Sequence, residues 1–184
     1  DPLGIRDRAI LELLYATGAR RSELVKIQLS HLDIQSESHG NLLIDRGKGG
    51  KSRLIPIGRD AIHWLNCYLE KTRPKLLLDP AEQALFLSGY GQALSPHYLG
   101  NWMKKTLHQA AIDKHGSCHL LRHTCATHMH ENGADIRFIQ QFLGHARLDT
   151  TAIYTEVSIE SLRAIYNQTH PSAQEGGTKT TEGS

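Results

Sequence analysis

Apolar residues recur at helical spacing along most of this sequence, and nearly every such stretch is closed by a glycine or a proline. That pattern calls for short helices meeting at sharp corners. Ile5, Ala9, Ile10, Leu13 and Leu14 share one face before Gly18. Ser22 is placed to cap a second helix carrying Leu24, Val25, Ile27 and Leu29, which puts Arg20 and Arg21 at a corner between helices. The period breaks once, where residues 41–45 and 52–57 flank the glycine-rich stretch 47–51 and read as a β-hairpin. Residues 58–75 follow as a helix with Ala61, Ile62, Leu65, Tyr68 and Leu69 on one face, ending before Pro74. Ser95 and Pro96 open another with Leu99, Trp102, Met103 and Leu107 inward. Residues 119–132 are helix-compatible up to Gly133, and Asp135 caps a helix with Ile136, Ile139, Phe142 and Leu143 inward, stopped by Gly144. After a turn at 149–154, a last helix carries Ile159, Leu162, Ile165 and Tyr166 up to Pro171. The expected fold is mainly α with a small antiparallel β-sheet, an α+β domain.

With 184 residues the chain is long enough for one such domain and a short tail. The tail is expected at 171–184, which holds no aromatic and no large aliphatic side chain and so is read as disordered, leaving 1–170 as the domain. A net charge of +2 excludes a strongly basic tail-type binder and an acidic solvating segment. No apolar run reaches the ~18 residues of a membrane span. Three cysteines without a leader-like start point to a cytoplasmic protein and not a disulfide framework.

Five segments carry chemistry, and each has a plain alternative. Arg20 with Glu23 reads equally as a surface salt bridge. Arg46, Lys48, Lys51 and Arg53 on the hairpin could grip a phosphate or be a solvated tip. Of the 12 histidines, four (His119, His123, His128, His130) crowd into one segment with Cys118, Cys125 and Arg122. His119 and Arg122 share a helix face, and His119 with His123 could chelate a metal. The helical His-Glu-x-x-His pattern and zinc-finger cysteine spacing are both missing, so His123, His128 and His130 read as surface or packing residues. His145 follows a helix end, where carbonyl dipoles favour its protonated form. Tyr154 taken alone is an ordinary core or interface tyrosine.

Their order changes this. Leu14-Tyr-Ala-Thr-Gly-Ala-Arg20-Arg-Ser-Glu-Leu, Gly47-Lys48-Gly-Gly-Lys-Ser-Arg-Leu-Ile-Pro, His119-Leu-Leu-Arg122-His-Thr-Cys-Ala-Thr-His and Leu143-Gly-His145, followed nine residues on by Tyr154, together resemble the catalytic domain of tyrosine recombinases, the phage integrases and Xer-type resolvases. The resemblance runs over about residues 4 to 170 and implies a catalytic set of Arg20, Lys48, His119, Arg122, His145 and Tyr154. It further implies that Tyr154 attacks a DNA phosphodiester to form a 3′-phosphotyrosyl link. Arg20, Arg122 and His145 would stabilise the charge, His119 accept the tyrosine proton, Lys48 protonate the leaving 5′-oxygen, and Glu23 hold a cation in place. No metal or cofactor is implied. The partners implied are double-stranded DNA and four copies on two duplexes exchanging C-terminal helices, with a related recombinase as a further subunit, in a prokaryotic, nucleoid-associated setting. The family's N-terminal core-binding domain has no counterpart in this chain. Alternatives from other classes are type IB topoisomerase-like relaxation, a catalytically idle DNA-binding module, and a zinc hydrolase built on the His/Cys segment.

Overall fold

A computed structural model describes residues 1–45, 50, 52–110, 112, 118–144 and 159–170, with the side chains of Pro2 and of 159–163 excepted. Lys48, His145, Tyr154, the turn expected at 149–154 and the tail at 171–184 lie outside the described residues.

Helix α1 (Pro2–Thr17) begins three residues before its apolar period does, because the Asp1 carboxylate accepts from the Leu3 N–H at 3.0 Å and Pro2 suits the first helical position. It stops at Gly18, whose φ of 59° lets its N–H return to the Leu14 carbonyl. Helix α2 (Arg21–Leu24) is a single turn capped from Arg20, so the longer helix expected from Ser22 through Leu29 is not formed. The backbone is diverted there by pairing: the Ile27 carbonyl accepts from Leu85 N–H at 2.8 Å and Leu29 N–H donates to the Gln83 carbonyl at 2.9 Å. A turn of 3-10 helix (Leu29–His31) leads into β1 (Leu32–Ile34), a strand too short for alternation to announce it.

The hairpin is formed as expected by β2 (Gly40–Ile44) and β3 (Arg53–Ile57), antiparallel with Leu42 opposite Ile55, and β1 extends the sheet in the order β1-β2-β3. Pro56 is tolerated because β3 is an edge strand. Helix α3 (Arg59–Lys71) ends at Thr72, and Pro74 falls in the first turn of α4 (Arg73–Leu76). Helix α5 (Pro96–Gln109) is capped by Ser95, α6 (Cys118–Glu131) precedes the turn at Gly133, and α7 (Ile136–Leu143) is capped by Asp135 and closed by Gly144. On α7 the buried stripe is Phe138, Ile139, Phe142 and Leu143, whereas Ile136, expected inward, is exposed. At 100° per residue Ile136 lies about a quarter turn off the centre of that stripe.

Helix α1 is the spine, packed on α3, α6 and β3 through Ala9, Ile10, Leu13 and Leu14. Burying each of its three large aliphatic side chains contributes about 2 kcal/mol. The last helix, α8 (Ile159–Thr169), lies on β3 and α6 of its own chain. Tyr166 is buried there and stacks on His170 with centroids 4.5 Å apart. The His170 Nε2–H donates to the Tyr15 carbonyl at 3.2 Å, and Cys125 Sγ lies 3.4 Å from the same nitrogen. Removal of everything from residue 158 onward would therefore uncover core, since Tyr166 and His170 are buried.

Two predictions follow from this packing. Burial, aided by His128, outweighs the bond to Tyr15 and lowers the His170 imidazole to about 4 from 6.5. Below pH 6.5 the unfolded chain takes up the proton first, so this stability is complete above pH 6.5 and lost as pH falls to 4, on the order of 3 kcal/mol in all. Urea midpoints measured across that window should slope less for His170→Phe than for the parent, and equal slopes would refute the burial argument. At Gly18 a Cβ would collide with Leu143 Cδ2, whereas at Gly133, with φ of 92°, it would meet nothing within 4 Å. Gly18→Ala is expected to cost about 2–4 kcal/mol against about 1–2 for Gly133→Ala, read from urea unfolding, because only the first adds overpacking to backbone strain.

Candidate active site

The site is built on two helix ends that one side chain joins. Arg122, in the second turn of α6, is buried and donates from Nη1 to the Gly18 carbonyl at 2.6 Å and from Nη2 to the Leu143 carbonyl at 2.9 Å. Gly18 closes α1 and Leu143 is the last residue of α7, so both carbonyls are left over at helix C-termini, where a cation is favoured. The short side of Gly18 is what lets Leu143 and Arg122 approach.

Two residues along the chain from Gly18, Arg20 extends from the start of α2, and its side chain is partly exposed. Its backbone N–H donates to Glu23 Oε2 at 2.8 Å and its Nη1 to Glu23 Oε1 at 3.3 Å. Glu23 is 7% exposed and is also gripped by Arg53, whose Nη1 and Nη2 each lie 2.9 Å from one carboxylate oxygen. Arg53 Nε donates to the Phe142 carbonyl at 3.1 Å. Burial alone would raise the Glu23 carboxyl, but the Arg53 fork, the Arg20 N–H and the charges of both arginines outweigh it and hold the group at about 2. Glu23 is therefore a carboxylate at any physiological pH, and it contacts Arg20 through both of its oxygens.

The structure thus gathers Arg20 and Arg122 at one corner. His119 sits in the first turn of α6, one turn before Arg122, and is exposed. Lys48, His145 and Tyr154 lie outside the described residues. Arg53, one of the hairpin cations read as either a phosphate grip or a solvated tip, instead turns inward to Glu23. The His/Cys segment is split by its helix: Cys118 and Cys125 are buried while His119, His123 and His130 are exposed. Burial raises the Cys125 thiol to about 12. His128 packs against Tyr15, its Nδ1 being 2.8 Å from the phenol oxygen. Among the described residues no three His, Cys, Asp or Glu side chains converge as metal ligands, and no helix is long and apolar enough to cross a membrane.

Sequence reasoning missed the role of Arg53, although a signal was there: in β3 it shares the two-residue period of buried Ile55 and Ile57, with exposed Leu54 on the other face. The carbonyls of Gly18, Phe142 and Leu143 leave no trace in a pattern of side chains.

This geometry agrees with what comparison with known proteins finds. The family model described as the phage integrase family matches residues 1–161. Tyrosine recombinase XerC 2 of Ralstonia nicotianae is 49% identical over 170 residues, which make up 92% of this chain and 48% of that protein. Of solved structures, XerA recombinase superposes with a TM-score of 0.70 at 36% identity, over 89% of this chain and 58% of that one. XerH site-specific recombinase, in a post-cleavage complex bound to a palindromic difH substrate, gives 0.69 at 26% identity, over 90% and 46%. The chain spans about half the length of the curated relatives it matches. From the family match and the shared fold, the chain belongs to the phage integrase family of tyrosine recombinases.

Proposed function

We propose that residues 1–170 form the strand-cleaving and rejoining domain of a site-specific DNA recombinase of the Xer kind, acting in the integration or recombination of a mobile element or replicon. The observation that carries this reading is the anchoring of Arg122 on the Gly18 carbonyl, two residues from a Glu23-paired Arg20. A phosphodiester under attack gains negative charge on its non-bridging oxygens, and guanidiniums whose orientation is set in advance stabilise that charge without reorganising. Arg20 and Arg122 take this role with His145.

Tyr154 is the nucleophile, forming a 3′-phosphotyrosyl link as the 5′-oxygen leaves. A phenol of pKa about 10 is only about one part in a thousand ionised at neutral pH, so His119, on the exposed face of α6, accepts its proton. Lys48 gives a proton to the leaving oxygen. Attack by a 5′-hydroxyl on the phosphotyrosyl bond reverses these steps and frees the tyrosine. We further propose that the working assembly is four copies on two duplexes, with a related recombinase as an optional subunit, in the cytoplasm. There α8 leaves its own chain for a neighbour. The pocket that Tyr166 and His170 fill in cis supports this, since an identical helix from another copy fits it equally.

Covalent capture tests the chemistry. A pool of nicked duplexes with randomised sequence is incubated with the chain, and DNA that stays protein-linked on a denaturing gel is selected. Tyr154→Phe should abolish the adduct with DNA binding retained, and an adduct in that variant would sink the assignment. Arg122→Ala should slow adduct formation by about 10²–10³-fold, with a smaller effect on affinity. Lys48→Ala should recover when the leaving 5′-oxygen is replaced by sulfur, which departs without a proton. Relief of Arg122→Ala instead would exchange the two roles.

A further inference from the structure

Arg53 pairs with Ile44 at the start of β3, and its side chain is nearly buried. All three of its guanidinium nitrogens are engaged: Nη1 and Nη2 on the two oxygens of Glu23 at 2.9 Å each, and Nε on the Phe142 carbonyl at 3.1 Å. Glu23 in turn holds Arg20 by backbone and side chain. One side chain therefore links the strand that follows Lys48 in sequence, the arginine at the start of α2, and the end of α7 that precedes His145 in sequence.

The charges make the link more than a brace. Glu23 alone beside Arg20 would cancel it, leaving a pair of no net charge where a phosphodiester has to be attracted. With Arg53 in place, Arg20, Glu23 and Arg53 sum to one positive charge, and both carboxylate oxygens have a second partner besides Arg20. The fork geometry of Arg53 fixes the carboxylate plane, and so the direction from which Glu23 holds Arg20.

We infer that Arg53 is a positioning residue for strand cleavage, neutralising and orienting Glu23 so that Arg20 keeps both its geometry and its pull on the scissile phosphate. This rests on the strand-cleavage reading above. Arg53 touches no substrate and acts through Glu23.

The charge argument separates this role from plain bracing. On the duplex selected by covalent capture, at saturating chain, Arg53→Gln should slow adduct formation on the order of 100-fold, the scale of a small misplacement at a reacting centre. The Kd for the duplex should change less than about threefold, as one screened charge among many phosphate contacts. Adding Glu23→Gln to Arg53→Gln restores one net positive charge, and should recover about tenfold of the lost rate, part of the loss being orientation. Arg53→Lys, which keeps the charge without the fork, should fall between parent and Arg53→Gln, and serves if the glutamine variant fails to fold. A double variant no faster than Arg53→Gln, or a loss lying wholly in Kd, overturns the assignment. An active chain whose Arg53→Gln form cleaves at the parent's rate overturns it alone, whereas a parent that captures no duplex overturns the strand-cleavage reading and this inference with it.

Discussion

A carboxylate out of water has to be matched, and the site is arranged around that requirement at Glu23. An isolated ionised carboxyl in the interior is so costly that it would take up a proton instead. Here two arginines and a backbone N–H hold the charge on, and the start of α2 and β3, which supply them, are held to one another as a result. Taking away either arginine would leave a buried charge half-paired. The ion pair is thus less a source of stability than a constraint on geometry, and α2, β3 and the end of α7 are brought to a common point by it.

The same device recurs through the core. Arg6 is 1% exposed and reaches the Leu87 carbonyl and Asp7, Arg73 binds the Ala84 and Glu82 carbonyls, and Arg122 spans two helix ends. A protein of many short helices has many leftover carbonyls, and a guanidinium with five donors in a rigid fork is the side chain best shaped to collect them. A net charge of +2 therefore misstates where the cations are, because several of the arginines face inward. An interior wired by arginine also sets the positions of the arginines left to meet an anion.

Helix α8 closes the far side of this core. Its anchor is an aromatic stack of Tyr166 on His170 beside Phe142, with one hydrogen bond to the Tyr15 carbonyl. The Phe142 ring lies in that stack while its carbonyl receives Arg53. The seating of the last helix and the arginine cluster thus share a residue of α7, a physical route by which a change in one can reach the other.

Periodicity and punctuation were enough to locate α1, the hairpin, α3, α5, α6, α7 and α8, because apolar spacing, Ser95-Pro96, Asp135 and the left-handed glycines 18, 133 and 144 are local signals that the fold obeys. The motif order marked Arg20, Lys48, His119, Arg122, His145 and Tyr154 as a set, of which Arg20, His119 and Arg122 fall among the described residues, since residue types and their sequence order are written in the chain itself. Tertiary structure alone decided the rest. It ended α2 at Leu24, where the 83–85 backbone offers better hydrogen bonds than another helical turn. It turned Ile136 outward, since the stripe is centred between Ile139 and Phe142. It also took Arg53 from the charged hairpin into the interior, and put the Gly18 and Leu143 carbonyls on Arg122. The physical reason is one: a buried charge or leftover carbonyl is satisfied by whatever distant segment the packing delivers, and that partner lies too many residues away for any local pattern to name it.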